Sequence, residues 1–190
     1  MARAGLSPQV VVRAGADLAD EVGFDEVTPS ALARRLGVRA ASLYSHVGGA
    51  DDLRTRIALL ALDELADLAS EALAGRSGKD ALVAFAGCYR DFAREHPGRY
   101  AAMQVRLSPE AAAAGPGGRH ADLTRAILRG YGLTGVDETH AVRLIGSVVH
   151  GFTTLELGGG FDHSAPPPDR TWSRILDGVD TVLRSWAAPS

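Results

Sequence analysis

The sequence predicts an all-α protein, with an N-terminal three-helix unit followed by a larger C-terminal helical region. Three observations predict this. Apolar residues recur at steps of three and four along most of the chain, the spacing of one helix face. No stretch reads convincingly as a strand. Residues 28–53, TPSALARRLGVRAASLYSHVGGADDL, read as a short helix, a glycine turn, a second short helix and a fresh helix start.

The first helix is expected from Ser7 to Val22, with Ser7 as its cap, Pro8 after it, and Val11, Ala14, Leu18 and Val22 as its buried stripe. Gly23 ends it, and Phe24 and Val27 fill the gap to the next helix. Thr28 then places a capping hydroxyl before Pro29, and Ala31, Leu32 and Leu36 give the helix an apolar stripe. Gly37 breaks it and Val38 anchors the turn. Leu43 and Val47, four apart, share a face of the following helix. Its other face shows Arg39, Ser42, Ser45 and His46, with Tyr44 flanking. Two helices joined by a turn of about four residues containing Gly form the helix-turn-helix of DNA binding. Its second helix enters the major groove by its N-terminal end.

Past Gly48-Gly49, Asp51 and Asp52 suit the positive end of a new helix. It is expected to run from 51 to 73, with Leu53, Ile57, Leu60, Leu65 and Leu68 on one side and Leu59 and Leu62 on another. A helix buried on two sides joins two packing units. Residues 51–73 are therefore read as a connector, with 1–50 as one domain and 51–190 as the other. Residues 79–96 align Leu82, Phe85, Tyr89 and Phe92, and His96-Pro97-Gly98 is expected to stop that helix. A short helix over 99–107, a partly loose Ala/Gly/Pro stretch over 108–118 and a helix over 119–131 follow.

Residues 138–157 are apolar nearly all round, with Val142, Leu144, Ile145, Val148, Val149, Phe152, Leu155 and Leu157. One face of a small domain does not absorb that much, so a second partner is implied. Residues 170–187 set Trp172, Ile175, Val179, Val182 and Trp186 at alternating steps of three and four, a heptad-like seam. Helices 138–157 and 170–187 from two copies would form a four-helix homodimer interface. The alternative is that both serve the monomer core. The two-fold symmetry of DNA readers favours the dimer.

With 190 residues the chain holds one large or two small domains, and 46% of its residues are hydrophobic. No apolar run reaches the ~18–20 residues that span a bilayer, so no membrane association is expected. The first residues lack a secretory apolar core and cleavage site, and the one cysteine, Cys88, suits a reducing cytoplasm. Cys88 reads as a small buried hydrophobe rather than a reactive thiol. Net charge is −3, and residues 1–50 hold five Arg and five acids. That balance argues against a charge-driven nucleic-acid binder. It leaves room for a specific reader whose Arg34, Arg35 and Arg39 cluster at the turn.

Together these residues resemble a TetR-family transcriptional regulator. The resemblance rests on Gly23-Phe24, Val27-Thr28, Ala31-Leu32-Ala33, Leu36-Gly37-Val38, Leu43-Tyr44 with His46, and Asp52-Leu53. The C-terminal segment more loosely resembles a TetR type marked by a Trp-His-Gly triplet. It carries His96-Pro97-Gly98 with Tyr100, Val149-His150-Gly151-Phe152 with Val for Trp, Glu156, and a Gly-rich turn before Phe161. The family usually has an aromatic at position 47 and a Lys at position 50. Val47 and Ala50 here lose packing volume and a phosphate contact.

The resemblance implies that Arg39, Ala40, Ser42 and Ser45 face base edges or nearby phosphates. Arg39 suits a bidentate contact with guanine or, equally, a phosphate, and Ala40 suits a thymine methyl. Tyr44 and His46 would hold phosphates, with helix capping the other reading of His46. Thr28 would cap its helix and donate to phosphate. Arg34 and Arg35 fit either a phosphate contact or a solvated face. The C-terminal region resembles the family's effector-binding unit, with a pocket lined by Phe85, Cys88, Tyr89, Met103, Leu107, Ile127, Tyr131, Val149, His150 and Thr153. Ordinary core packing is the competing reading for most of these. His150 needs a partner, either structural or an effector.

No HExxH, GxSxG, Cys/His metal spacing or phosphate-binding glycine loop occurs, and His120, His140 and His163 are scattered, so neither an enzyme nor a metal or cofactor is expected. The expected function is a ligand-responsive homodimeric regulator, a repressor on the family's pattern, bound to a palindromic double-stranded DNA operator. An unknown small-molecule effector beside the connector would release it by changing a reader spacing of ~34–36 Å. The alternative is a helical dimeric interaction module that has lost specific DNA binding.

Overall fold

The computed structural model describes residues 6–187, which form nine α-helices, two short 3-10 turns and no strand. The helices are α1 (Pro8–Val22), α2 (Pro29–Leu36), α3 (Ala50–Leu73), α4 (Gly78–Glu95), α5 (Pro97–Ala102), α6 (Pro109–Ala114), α7 (Gly117–Arg129), α8 (Gly135–Leu157) and α9 (Pro168–Trp186). No helix among the described residues is long and apolar enough to cross a membrane. The all-α expectation holds. The residues form two compact units. The first takes the chain to Glu64 and adds Glu95–Gly117. The second takes Leu65–Arg94 and the chain from Gly118 on.

The first unit begins as the caps predict. The Ser7 hydroxyl accepts from the Val10 N–H at 3.3 Å, and Thr28 Oγ1 accepts from the Ala31 N–H at 3.1 Å. Gly37 adopts a left-handed conformation (φ 65°) that ends α2 and turns the chain. Val11, Leu32, Leu43, Leu53 and Ile57 are fully buried together, and each such side chain contributes about 1.5–3 kcal/mol.

The expected second helix of the pair is much shorter than an α-helix. Ala40–Ser42 form a 3-10 turn, and residues 43–46 continue as a single turn closed by Val47 N–H donating to the Leu43 carbonyl at 3.0 Å. The Ser45 hydroxyl donates to the Ser42 carbonyl at 2.9 Å, and the His46 N–H goes to Leu43 instead. A serine side chain thus occupies the acceptor that the next α-helical bond requires.

Residues 95–117 also depart from expectation. α4 stops at Glu95 as expected, but Pro97 also opens α5 as its first residue, two residues before the expected start, at a position where its missing N–H costs nothing. The stretch expected to be partly loose contains α6, capped by Ser108 accepting from the Ala111 N–H at 3.2 Å. Both helices belong to the first unit because α5 presses against α1. A β-carbon at Gly98 would overlap the Ala19 carbonyl, so only glycine permits the approach. Beside it, buried Arg99 donates its backbone N–H to Asp20 Oδ1 at 2.8 Å, pairs through its guanidinium with Asp17, and lies 3.5 Å from Glu64. Arg13 reaches Glu64 from the α1 side.

In the second unit, Leu82, Phe85, Ile127, Leu128, Ile145, Val149, Phe152, Trp172 and Leu183 share one core. Phe152 stacks 4.8 Å from Trp172 and 4.9 Å from Phe161. Arg90, buried over both rings, donates Nε to Glu156 Oε2 at 2.8 Å and pairs with Asp169 at 2.8 Å. That guanidinium holds the Glu156 carboxyl below the usual carboxylate range. Tyr131 donates its hydroxyl to Asp180 at 2.7 Å, and Arg184 reaches the same carboxylate at 3.0 Å.

The seam expected along 170–187 divides. Trp172 and Val179 turn into the unit's own core, with Leu176 and Leu183 beside them, while Val182 and Trp186 stay more than a third exposed. On α8, Ile145, Val149 and Phe152 are buried and Leu155 is exposed.

Replacing Arg90 by Met leaves Glu156 paired with Arg94 at 2.9 Å but without its buried hydrogen bonds, and is expected to cost about 1.5–3 kcal/mol in urea unfolding. The depressed Glu156 carboxyl contributes stability in full above the normal carboxylate range, and this is lost as pH falls through its folded value. Acid titration of stability should therefore be shallower in R90M than in the wild type.

Candidate functional site

Arg39, Ala41, Ser42, Tyr44 and Ser45 form one exposed run on the first unit, directly opposite the buried Leu43 and Val47. The backbone conformation decides which side chains face outward. Ala40, expected at a base edge, is half-buried and packs on the first core. Ala41 is exposed in its place. Two adjacent alanines carry no signal in the sequence that separates them; the 3-10 turn, which phases side chains differently from an α-helix, does. Tyr44 is 58% exposed, and His46 is half-buried. Thr28 is exposed with its hydroxyl engaged as the α2 cap, at the positive end of that helix.

The charges around this run sort into committed and uncommitted groups. Arg35 forms a two-pronged pair with Glu21. Arg54 is fixed over the Phe24 ring, donating to the Phe24 carbonyl at 3.1 Å and to Asp25 at 3.0 Å. Arg56 pairs with Asp52 at 2.9 Å, and Asp52 also caps the start of α3 by accepting from the Gly48 N–H at 2.7 Å. Among the described residues, Arg34 and Arg39 are exposed and carry no ion pair. The surface therefore presents small side chains, two serine hydroxyls, a phenol and two uncommitted guanidiniums. These are groups that contact base edges and phosphates.

The candidate pocket residues are not gathered in one unit. Met103 and Leu107 are half-buried in the first unit, where Leu107 packs on the core, because α5 and the chain after it dock on α1. The other candidates lie in the second unit. Phe85, Ile127 and Val149 are core side chains, and Tyr131 is committed to Asp180. Burial, followed by the charges of Asp91 and Glu71, pushes the Cys88 thiol up to about 11, so it stays protonated and inert at neutral pH. Tyr89 stacks 4.5 Å from Phe85 and hydrogen-bonds His120 through its hydroxyl. His120 was not among the expected pocket residues; as an isolated histidine it gave no spacing signal. The His150 ring lies 3.5 Å from the Thr154 hydroxyl. Thr153 is fully buried and its Oγ1 has no hydrogen-bond partner. Among the described residues no three His, Cys, Asp or Glu side chains gather as a metal site requires.

Comparison with known proteins matches residues 82–179 to the family described as the tetracyclin repressor-like C-terminal domain. The chain is 37% identical over 164 residues to an uncharacterized HTH-type transcriptional regulator of Mycobacterium tuberculosis, covering 84% of this chain and 74% of that protein. Among solved structures, Streptomyces coelicolor ActR in complex with actinorhodin superposes with a TM-score of 0.71 at 20% identity, covering 98% of this chain and 100% of that one. BioQ with its double-stranded DNA operator superposes at 0.66 and 21%, covering 95% and 99%.

The exposed run and the cap have different structural costs. Thr28→Ala is expected to lower stability by about 1 kcal/mol through the lost cap. Arg39→Ala and Tyr44→Ala should each stay within about 0.5 kcal/mol. Thermal melts of the three variants check this.

Proposed function

The chain belongs to the TetR family of transcriptional regulators, and from that premise we propose that it is a homodimeric repressor released from a palindromic operator by a small-molecule effector. The observation that carries the DNA-binding part is the exposed run Arg39, Ala41, Ser42, Tyr44 and Ser45. Apart from the Ser45 hydroxyl, which donates to the Ser42 carbonyl, these side chains carry no interaction that holds the fold, and they stand beside the buried Leu43 and Val47. Arg39 reads guanine or holds a phosphate. Ala41, with Ala40 behind it, meets a thymine methyl, and Ser42 and Ser45 contact nearby edges. Tyr44, His46 and Thr28 fix the register on phosphates. Residues 1–50 act as the DNA-binding domain and 51–190 as the effector and dimerisation domain. The operator-bound form of BioQ and the actinorhodin-bound form of ActR, both of similar fold, support the two binding roles.

The second copy docks through helices 138–157 and 170–187. Leu155 on α8 and Val182 and Trp186 on α9 point away from the unit's own core. A β-carbon at Gly146 or Gly178 would meet open space, which leaves room for a partner helix to approach closely. The effector occupies the interior of the second unit, near Phe85, Cys88, Tyr89, Ile127, Tyr131, Val149, His150 and Thr153.

One observation favours the reading as an interaction module without DNA binding. Asp51 and Asp52 open α3 where the family carries a Lys at position 50, and these carboxylates repel phosphate. Selection of bound duplexes from a randomised pool separates the two. A palindromic consensus supports the repressor, and no enrichment supports the module. With the selected duplex, Arg39→Ala is expected to weaken binding about 5- to 150-fold, the worth of one bidentate base contact, and Tyr44→Ala to weaken it as well. Val182→Glu combined with Trp186→Glu should give monomers in sedimentation experiments and lower operator affinity, because two half-sites are no longer held together.

A further inference from the structure

Among the described residues, the second unit buries four polar side chains: Arg90, Thr124, Thr153 and Asp180. Three of them are fully engaged. Arg90 is paired with Glu156 and Asp169. Asp180 accepts from Tyr131 and Arg184. Thr124 Oγ1 donates one turn back, to the His120 carbonyl, at 2.9 Å. That backward bond is the ordinary resource of a threonine inside a helix. Thr153, also inside a helix and 0% exposed, does not make it, and its hydroxyl meets no acceptor or donor at all. On α8, Phe152 precedes it and Val149 lies one turn back, both in the unit's core, while His150 and Glu156 stand three residues to either side, Glu156 already paired with Arg90.

We infer that the effector of this unit is an uncharged, mainly apolar molecule carrying one hydroxyl or carbonyl that bonds Thr153 Oγ1. The inference rests on reading the second unit as effector-binding. Two physical constraints lead to it. Each charged side chain buried in this interior already has its counter-charge, so an ionised ligand would enter without one, and burying an unpaired ion costs far more than burying any neutral polar group. Conversely, an unengaged buried hydroxyl is rare in folded proteins and is satisfied at once by a ligand that brings a single complementary group. The hydroxyl does not reach solvent in this conformation, so the ligand enters through an opened minor state and then makes that state dominant.

The test uses the full chain and three probes of one size: toluene, benzyl alcohol and benzoate. Toluene and benzyl alcohol should raise the melting temperature and benzoate should not. Thr153→Val should weaken benzyl alcohol relative to toluene by about fivefold, the worth of one hydrogen bond, and Thr153→Ser should restore the wild-type ratio. Comparing ratios cancels the different hydration of the two probes. Without any probe, Thr153→Val should melt no lower than the wild type, because it removes an unsatisfied group without changing shape. Stabilisation by benzoate, an unchanged ratio in Thr153→Val, a lower melting temperature of that variant, or no response to all three probes overturns the inference. Duplex selection with the wild type tests the regulator reading separately. A chain that enriches no DNA but shows this probe pattern refutes the repressor and leaves the ligand class standing.

Discussion

The close approach of α5 to α1 governs how the first unit is built. Gly98 lets the two backbones meet, and Arg99 then becomes a buried cation whose desolvation has to be offset. Asp17 and Asp20 on α1 and Glu64 on α3 surround it, so one guanidinium ties three helices together. The even balance of arginines and acids in residues 1–50 therefore has a structural origin. Much of that acidity supports the unit from within, or, like Glu21 and Asp25, fixes Arg35 and Arg54. It is not spread against the exposed run, where Arg34 and Arg39 keep their charges uncommitted.

The second unit uses the same device with different helices. Arg90 enters from α4, lies over Phe152 and Trp172, and binds Glu156 near the end of α8 and Asp169 near the start of α9. Those two carboxylates flank the glycine- and proline-rich connection between α8 and α9, so one side chain sets where both ends of that connection lie. Arg94 adds a second contact to the same acids. A linker that looks flexible by composition is anchored at both ends by charge.

Local signals in the sequence were legible where a local rule decides the outcome. Ser7, Thr28, Gly23 and Gly37 mark helix ends because capping and left-handed backbone are properties of single residues. Leu32, Leu43, Leu53 and Ile57 show their burial through spacing alone. Legibility failed where the outcome depends on a distant partner or on competition between near-equal bonds. Pro97-Gly98 reads as a stop, and α4 does end there, but only the neighbouring α1 shows why glycine is needed at 98. At 40–46 the chain takes a 3-10 turn and Ser45 takes the Ser42 carbonyl, a competition between near-equal bonds, and Ala41 rather than Ala40 is the exposed alanine. The seam on α9 mixed two roles because Trp172 and Val182 satisfy the same spacing rule while facing different surroundings. The pocket residues were the least legible, since core lining and ligand lining look alike in composition.

The membership of residues 95–117 in the first unit has a consequence for how the protein comes into being on the ribosome. The helix-turn-helix is complete in sequence by residue 50, yet α1, already able to pack on α2 and α3, lacks the α5 face of its surroundings until Gly98 and Arg99 have been synthesised, and Leu107 and α6 come later still. Asp17 and Asp20 wait as solvated carboxylates while most of the second unit's first helices emerge. Contacts of such long sequence separation form slowly, because the loop between them must close first. A chain interrupted anywhere before α5 would carry the exposed run at 39–45 without α5 packed on α1. The first unit is therefore completed late in synthesis, when more than half of the polypeptide is already made.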